Sequence, residues 1–89
     1  MTFGETLKTL RLKTDKSRYR LARYSGLDEA YILRLESGAR QNPSRGVVMK
    51  LCLALVADSE VVSINDANAL LLAAGYAPLR TRGEPEYVS

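Results

Sequence analysis

Apolar residues recur along this chain at helical spacing, in five short stretches separated by polar breaks. Phe3, Leu7 and Leu10 stand at i, i+4 and i+7, which puts them on one face of a helix. Thr2 before them and Glu5 three residues on have the form of a capping box. This first helix is expected to fade over residues 13–15. Leu21 and Ala22 mark a second helix over about 18–24, with Ser17 as its N-cap and Ser25-Gly26 as its stop, because glycine takes the positive φ of a sharp helix end. Leu27, Ile32 and Leu35 share the inner face of a third helix over 29–37, with Asp28 as N-cap and Gly38 beyond its end. Residues 39–43 read as a loop. Ser44 then caps a fourth helix carrying Val47, Val48, Leu51 and Leu55 on one stripe. Gly46 weakens its first turn by roughly 1 kcal/mol relative to alanine. It reads either as a close backbone approach or as a tolerated glycine near a helix end. Residues 57–63 form a loop, because Val61 and Val62 favour strand but have no partner strand. Ser63 and Asp66 open a fifth helix over about 64–74, with Ala67, Leu70, Leu71 and Ala74 inward and Leu72 widening the face. Residues 79–89 are charged and contain glycine and proline, so a domain over 1–78 and a mobile tail over 79–89 are expected.

The second and third stretches, joined by a glycine turn, make a helix-turn-helix. The order Ser17, Leu21-Ala22, Gly26, Tyr31-Ile32, Leu35-Glu36, Gly38 and Asn42-Pro43 resembles the Cro/C1-type (Xre-like) family of helix-turn-helix proteins. Leu7, Leu10 and Arg11 before the motif and Leu51, Ala54 and Leu55 after it extend the resemblance over about residues 3–55, and Leu70 to Pro78 echoes the fifth helix of some members. The fold this implies is all-α: a compact bundle of about five short helices, lambda-repressor-like, with the helix-turn-helix formed by helices two and three.

Charge sharpens the picture. Eleven basic and five acidic residues lie up to Lys50, against two basic and five acidic residues from Leu51 onward. A basic front half suits a polyanion, although a solvated surface has the same composition. The chain has no histidine, one cysteine and no phosphate-binding glycine motif. Catalysis, a metal site and a cofactor are therefore not expected. Cys52 sits in an apolar helical pattern and reads as a buried, inert thiol, which suits a reducing cytoplasm. Charges interrupt the N-terminal stretch, so no signal peptide is read there, and no apolar run is long enough to span a bilayer.

By the resemblance, the third helix enters the major groove of double-stranded DNA. Glu29, Ala30 and Arg34 then face bases, and Arg18, Tyr31, Arg40, Asn42, Ser44 and Arg45 face the sugar–phosphate backbone. Arginine can bind guanine O6 and N7 with two donors, and glutamate can accept from cytosine N4. Arg11 and Glu36 match a family pair that ties the first helix to the third; as plain surface charges they would be worth under about 1 kcal/mol. The implied function is a transcriptional regulator, a repressor blocking a promoter as a homodimer. Leu71, Leu72 and Tyr76 are the candidates for the dimer face. Two features depart from the family pattern: acids at Asp28 and Glu29, and Leu33 where the family has a small or polar residue. They motivate the alternative, a protein–protein module, antitoxin-like or scaffold, that uses the fold without reading DNA.

Overall fold

The computed structural model describes residues 1–79. Five helices follow one another, α1 (Phe3–Lys13), α2 (Arg18–Ser25), α3 (Glu29–Ser37), α4 (Arg45–Val56) and α5 (Ile64–Ala73), and the described residues contain no strand. The residues assigned to the tail at 80–89 lie outside this range. Leu79 does not belong to a tail. Its N–H donates to Asn68 Oδ1 at 2.7 Å, its carbonyl accepts from Asn68 Nδ2 at 3.3 Å, and its side chain packs on the core.

Local chemistry sets the helix starts. In α1 the Glu5 N–H donates to Thr2 Oγ1 (3.2 Å) and the Thr2 N–H donates to Glu5 Oε1 (2.9 Å), closing the capping box. Ser17 accepts from the Arg20 N–H and Ser44 from the Val47 N–H. In α5 the Ser63 N–H donates to Asp66 Oδ2 at 3.0 Å. Asp28 departs from expectation: it occupies the N-cap position of α3, but its side chain makes no cap bond. Gly26 (φ 75°) and Gly38 (φ 85°) end α2 and α3 in the left-handed conformation, which is cheap only without a Cβ.

The apolar stripes meet in one core. Leu7, Leu21, Ile32, Leu35, Val48, Leu51, Leu55, Leu70 and Leu71 are all fully buried. Truncating any of these leucines to alanine is expected to cost about 2–5 kcal/mol. α1 packs on α3 and α5, α2 on α3 and α4, and α4 on α5. Leu71 is therefore a core residue and leaves the set considered for a dimer face. Tyr76 is tied down as well, its hydroxyl donating to the Pro43 carbonyl at 2.7 Å. Leu72, 59% exposed, is the one member of that set facing solvent. Cys52 is buried, and burial pushes its thiol up to about 11, well outside the range of a reactive thiolate.

Close polar and backbone contacts hold the helix-turn-helix against the rest. Gly4 lies where α1 meets the end of α3: a Cβ there would sit 2.7 Å from the Glu36 carbonyl oxygen and closer still to that of Leu35. Lys16, only 4% exposed, donates from Nζ to the Ala57 carbonyl at 2.7 Å and to that of Leu55 at 3.4 Å, and its ammonium lies over the Tyr24 ring. It thereby satisfies carbonyls left without helical partners at the end of α4, where the dipole also favours a cation. Lys16 belongs to the interior, not to the basic surface suggested by the charge count.

Candidate nucleic-acid interface

α3 is divided lengthwise. Ile32 and Leu35 enter the core, while Glu29, Ala30, Leu33 and Arg34 are exposed. This division follows from the spacing, since residues 29, 30, 33 and 34 lie opposite 32 and 35 on a helix of 3.6 residues per turn. The residues expected at base edges thus share one outward face. Leu33, 48% exposed, lies among them. Asp28 and Glu29 have no cation partner among the described residues.

The residues expected at the DNA backbone differ in how they are held. The Arg40 guanidinium lies 5.4 Å from the centre of the Tyr31 ring, and the Arg40 N–H donates to the Arg34 carbonyl at 3.0 Å. Arg40 is thus folded back over α3 beside Arg34. Asn42 is exposed and takes a positive φ of 58°, a region asparagine tolerates better than most side chains. It turns the chain so that Pro43 is buried and Ser44 can cap α4. The Ser44 hydroxyl oxygen is engaged in that cap, which leaves its proton to donate. Arg45, the first residue of α4, is exposed, with one long bond from Nη1 to the Ala77 carbonyl (3.4 Å). Arg18 differs from these, because its Nε donates to Glu36 Oε1 at 2.9 Å.

Arg11 and Glu36 meet directly. Arg11 Nε donates to Glu36 Oε2 at 2.6 Å and Nη2 to Oε1 at 3.1 Å, and both side chains are almost fully buried. A bidentate pair at this depth fixes the angle between α1 and α3. Arg11 is thereby withdrawn from the surface charge, as Lys16 is by its bonds to the Leu55 and Ala57 carbonyls. Arg20, Arg23, Arg34, Arg40 and Arg45 have no carboxylate partner among the described residues. Helix starts show the same bias. α1, α3 and α5 carry Glu5, Glu29 and Asp66 in their first turns, whereas α2 and α4 carry no acid there and begin with Arg18 and Arg45. A cation at a helix N-terminus opposes the dipole, and an anion from outside would relieve it.

Sequence reasoning had no signal for Arg18 bonding to Glu36 or for Lys16 being buried. It missed a second patch too: Tyr19, Arg20, Arg23 and Tyr24 line a shallow depression on the outer side of α2, with Arg23 stacked over Tyr19 and Arg20 over Tyr24. The repeat of Tyr and Arg at i, i+4 is readable in the sequence, where it registers only as charge. A larger groove, about 610 Å³, runs between the start of α1 and the α3–α4 loop. Its lining includes Arg40 and Asn42 but none of Glu29, Ala30 and Arg34, so it does not include the outward face of α3. Among the described residues there is no cluster of metal-ligating side chains, and no helix is long and apolar enough to cross a membrane.

A family model described as a helix-turn-helix domain matches residues 2–63. Searches of the curated proteins and of the solved structures gave no match.

Proposed function

Because this chain belongs to the helix-turn-helix domain family, we propose that it is a sequence-specific regulator of transcription that lays α3 in the major groove of double-stranded DNA. The observation that carries this reading is the outward face of α3. It holds Glu29, Ala30 and Arg34 in solvent, with Arg40 folded back beside Arg34, and neither arginine has a carboxylate partner among the described residues. Within the family, the reading follows the Cro/C1 type. Residues 1–78, with Leu79 packed against them, are the DNA-binding domain, repression is by occlusion of a promoter, and Arg34 reads a base while Arg18, Tyr31, Arg40, Asn42, Ser44 and Arg45 contact the backbone.

Binding-site selection on random duplexes tests it. Arg34→Ala is expected to lose roughly 1–3 kcal/mol on the best site and to relax preference at one base pair. Unchanged preference would remove Arg34 from base reading. Two protomers on two half-sites complete the proposal, with Leu72 an exposed apolar residue on α5. A monomer in light scattering, with and without the selected duplex, would count against dimerisation.

A second reading has its own support. Leu33 is exposed in the middle of the outward face, and Asp28, freed of the capping role expected for it, adds to Glu29 an unpaired acid where phosphates would approach. A protein partner would suit those three residues better than DNA does. Absence of any salt-sensitive DNA binding would favour this reading.

A further inference from the structure

Glu36 receives three charged N–H bonds, two from Arg11 and one from Arg18, with its side chain 2% exposed. Two guanidinium groups on one carboxylate leave one positive charge over. That excess is not shared equally. Arg11 is enclosed: beyond Glu36, its Nη1 donates to the Lys16 carbonyl at 3.0 Å, so Nε, Nη1 and Nη2 all have partners. Arg18 is 35% exposed and engages Nε alone, and among the described residues Nη1 and Nη2 have no hydrogen-bond partner.

The buried carboxylate does not need the second arginine, because a bidentate arginine already compensates it. What the extra bond does is restrict Arg18. A long side chain normally loses its rotamer freedom when it docks on a ligand. Here the guanidinium is held through Nε before any ligand arrives, with Nη1 and Nη2 unpaired among the described residues and the side chain 35% exposed.

We propose that Glu36 is a positioning residue for DNA binding: it fixes Arg18 through Nε so that Nη1 and Nη2 present a preset edge to one DNA phosphate. This rests on the DNA-binding reading above. The phosphate would restore balance, with Arg11 and Arg18 facing two negative charges and Arg18 bridging them, Nε–H to the carboxylate and Nη1 and Nη2 to the phosphate. The planar fork of arginine permits that bridge; the ammonium of lysine does not.

The test measures affinity against salt concentration on the duplex best selected by the wild type, for wild type, Arg18→Ala, Arg18→Lys, Glu36→Gln and the Arg18→Ala/Glu36→Gln double variant, with Tm for each. Arg18→Ala is expected to lower the salt slope by about one unit. Arg18→Lys, although it keeps the charge, is expected to bind about tenfold more weakly than wild type, as Arg18→Ala does. Glu36→Gln is expected to lose the same slope unit, and the double variant to lose no more. Wild-type binding by Arg18→Lys would make Arg18 a simple point charge and overturn the proposal. A Glu36→Gln variant with lowered Tm but the wild-type slope would make Glu36 purely structural and overturn it as well. Should Glu36→Gln not fold, the lysine and alanine variants decide.

Parallel NMR follows the Arg18 Nε–H signal during titration with inorganic phosphate. A shift in the wild type with no DNA binding would retain the preset anion edge and overturn the DNA reading alone. No shift, with salt-dependent DNA binding that Arg18→Ala leaves unchanged, would overturn the edge and retain the DNA reading.

Discussion

α1 and α4 begin alike and are used differently. Each has a hydroxyl cap, Thr2 or Ser44, and each has glycine as its second residue, Gly4 or Gly46. The start of α1 is closed: Glu5 returns to the Thr2 N–H, and Gly4 lies against the carbonyls at the end of α3. The start of α4 is open. Arg45 stands where α1 has Phe3, no acid follows in the first turn, and a Cβ on Gly46 would meet only Ser44 Oγ, at 3.9 Å. One capping arrangement therefore serves two ends, to lock helices together in α1 and, in our reading, to leave backbone N–H groups and cations facing an anion in α4.

Substitutions at the two glycines separate the two uses. Gly4→Ala is expected to destabilise by about 3 kcal/mol, because the added carbon meets backbone that cannot rotate away. Chemical denaturation checks this, and a loss within about 0.5 kcal/mol would mean that α1 can slide off α3. The closed far end of α4 comes next. Lys16→Met keeps the stem and removes the ammonium from the Leu55 and Ala57 carbonyls. A loss of about 2 kcal/mol is expected, as for charged hydrogen bonds to buried groups. Gly46→Ala should instead raise stability, by up to about 1 kcal/mol, through helix propensity alone. If the same variant weakens DNA binding, the backbone at Gly46 approaches the ligand closely; unchanged binding would make Gly46 merely tolerated.

The smallest effect is in acid. The Ser63 backbone N–H bond, with Lys13 nearby, holds the Asp66 carboxyl below its ordinary value of 3.8, and the Thr2 backbone and hydroxyl hold Glu5 below 4.5. A carboxyl depressed on folding adds stability that is complete above its unfolded value and is lost as pH falls through the folded one. Tm should therefore decline as pH falls below about 4, and Asp66→Asn should flatten part of that decline. No acid in the first turn of α2 or α4 adds to it.

What could be read in the sequence was local. Residues 29–37 as a helix, the glycine stops after α2 and α3, and the Thr2–Glu5 box follow from neighbours within a turn or two of one another. Asp28 shows the limit of such reading: its residue type suits an N-cap, yet nothing local obliges the side chain to turn inward. Contacts across the fold were not legible unless a family pattern named them, as it did for Arg11 and Glu36. Lys16 reaches a carbonyl 41 residues away, and Arg18 a carboxylate 18 residues away. Both looked like surface charge because only packing decides which cations turn inward. Leu71 and Leu72 are adjacent and both apolar, and only the arrangement of α1 and α4 around α5 makes the first core and the second surface.

Arg18, with Nη1 and Nη2 unpaired, and Arg40 and Arg45, without carboxylate partners among the described residues, are the cations proposed to meet DNA phosphates. Affinity for the duplex best selected by the wild type, measured across salt concentrations, tests this most directly. With Arg18, Arg40 and Arg45 engaged, log K is predicted to fall with log salt with a slope of about −3 per protomer. A flat dependence, or no duplex enriched in the selection, would contradict the account and leave the outward face of α3 to a protein partner.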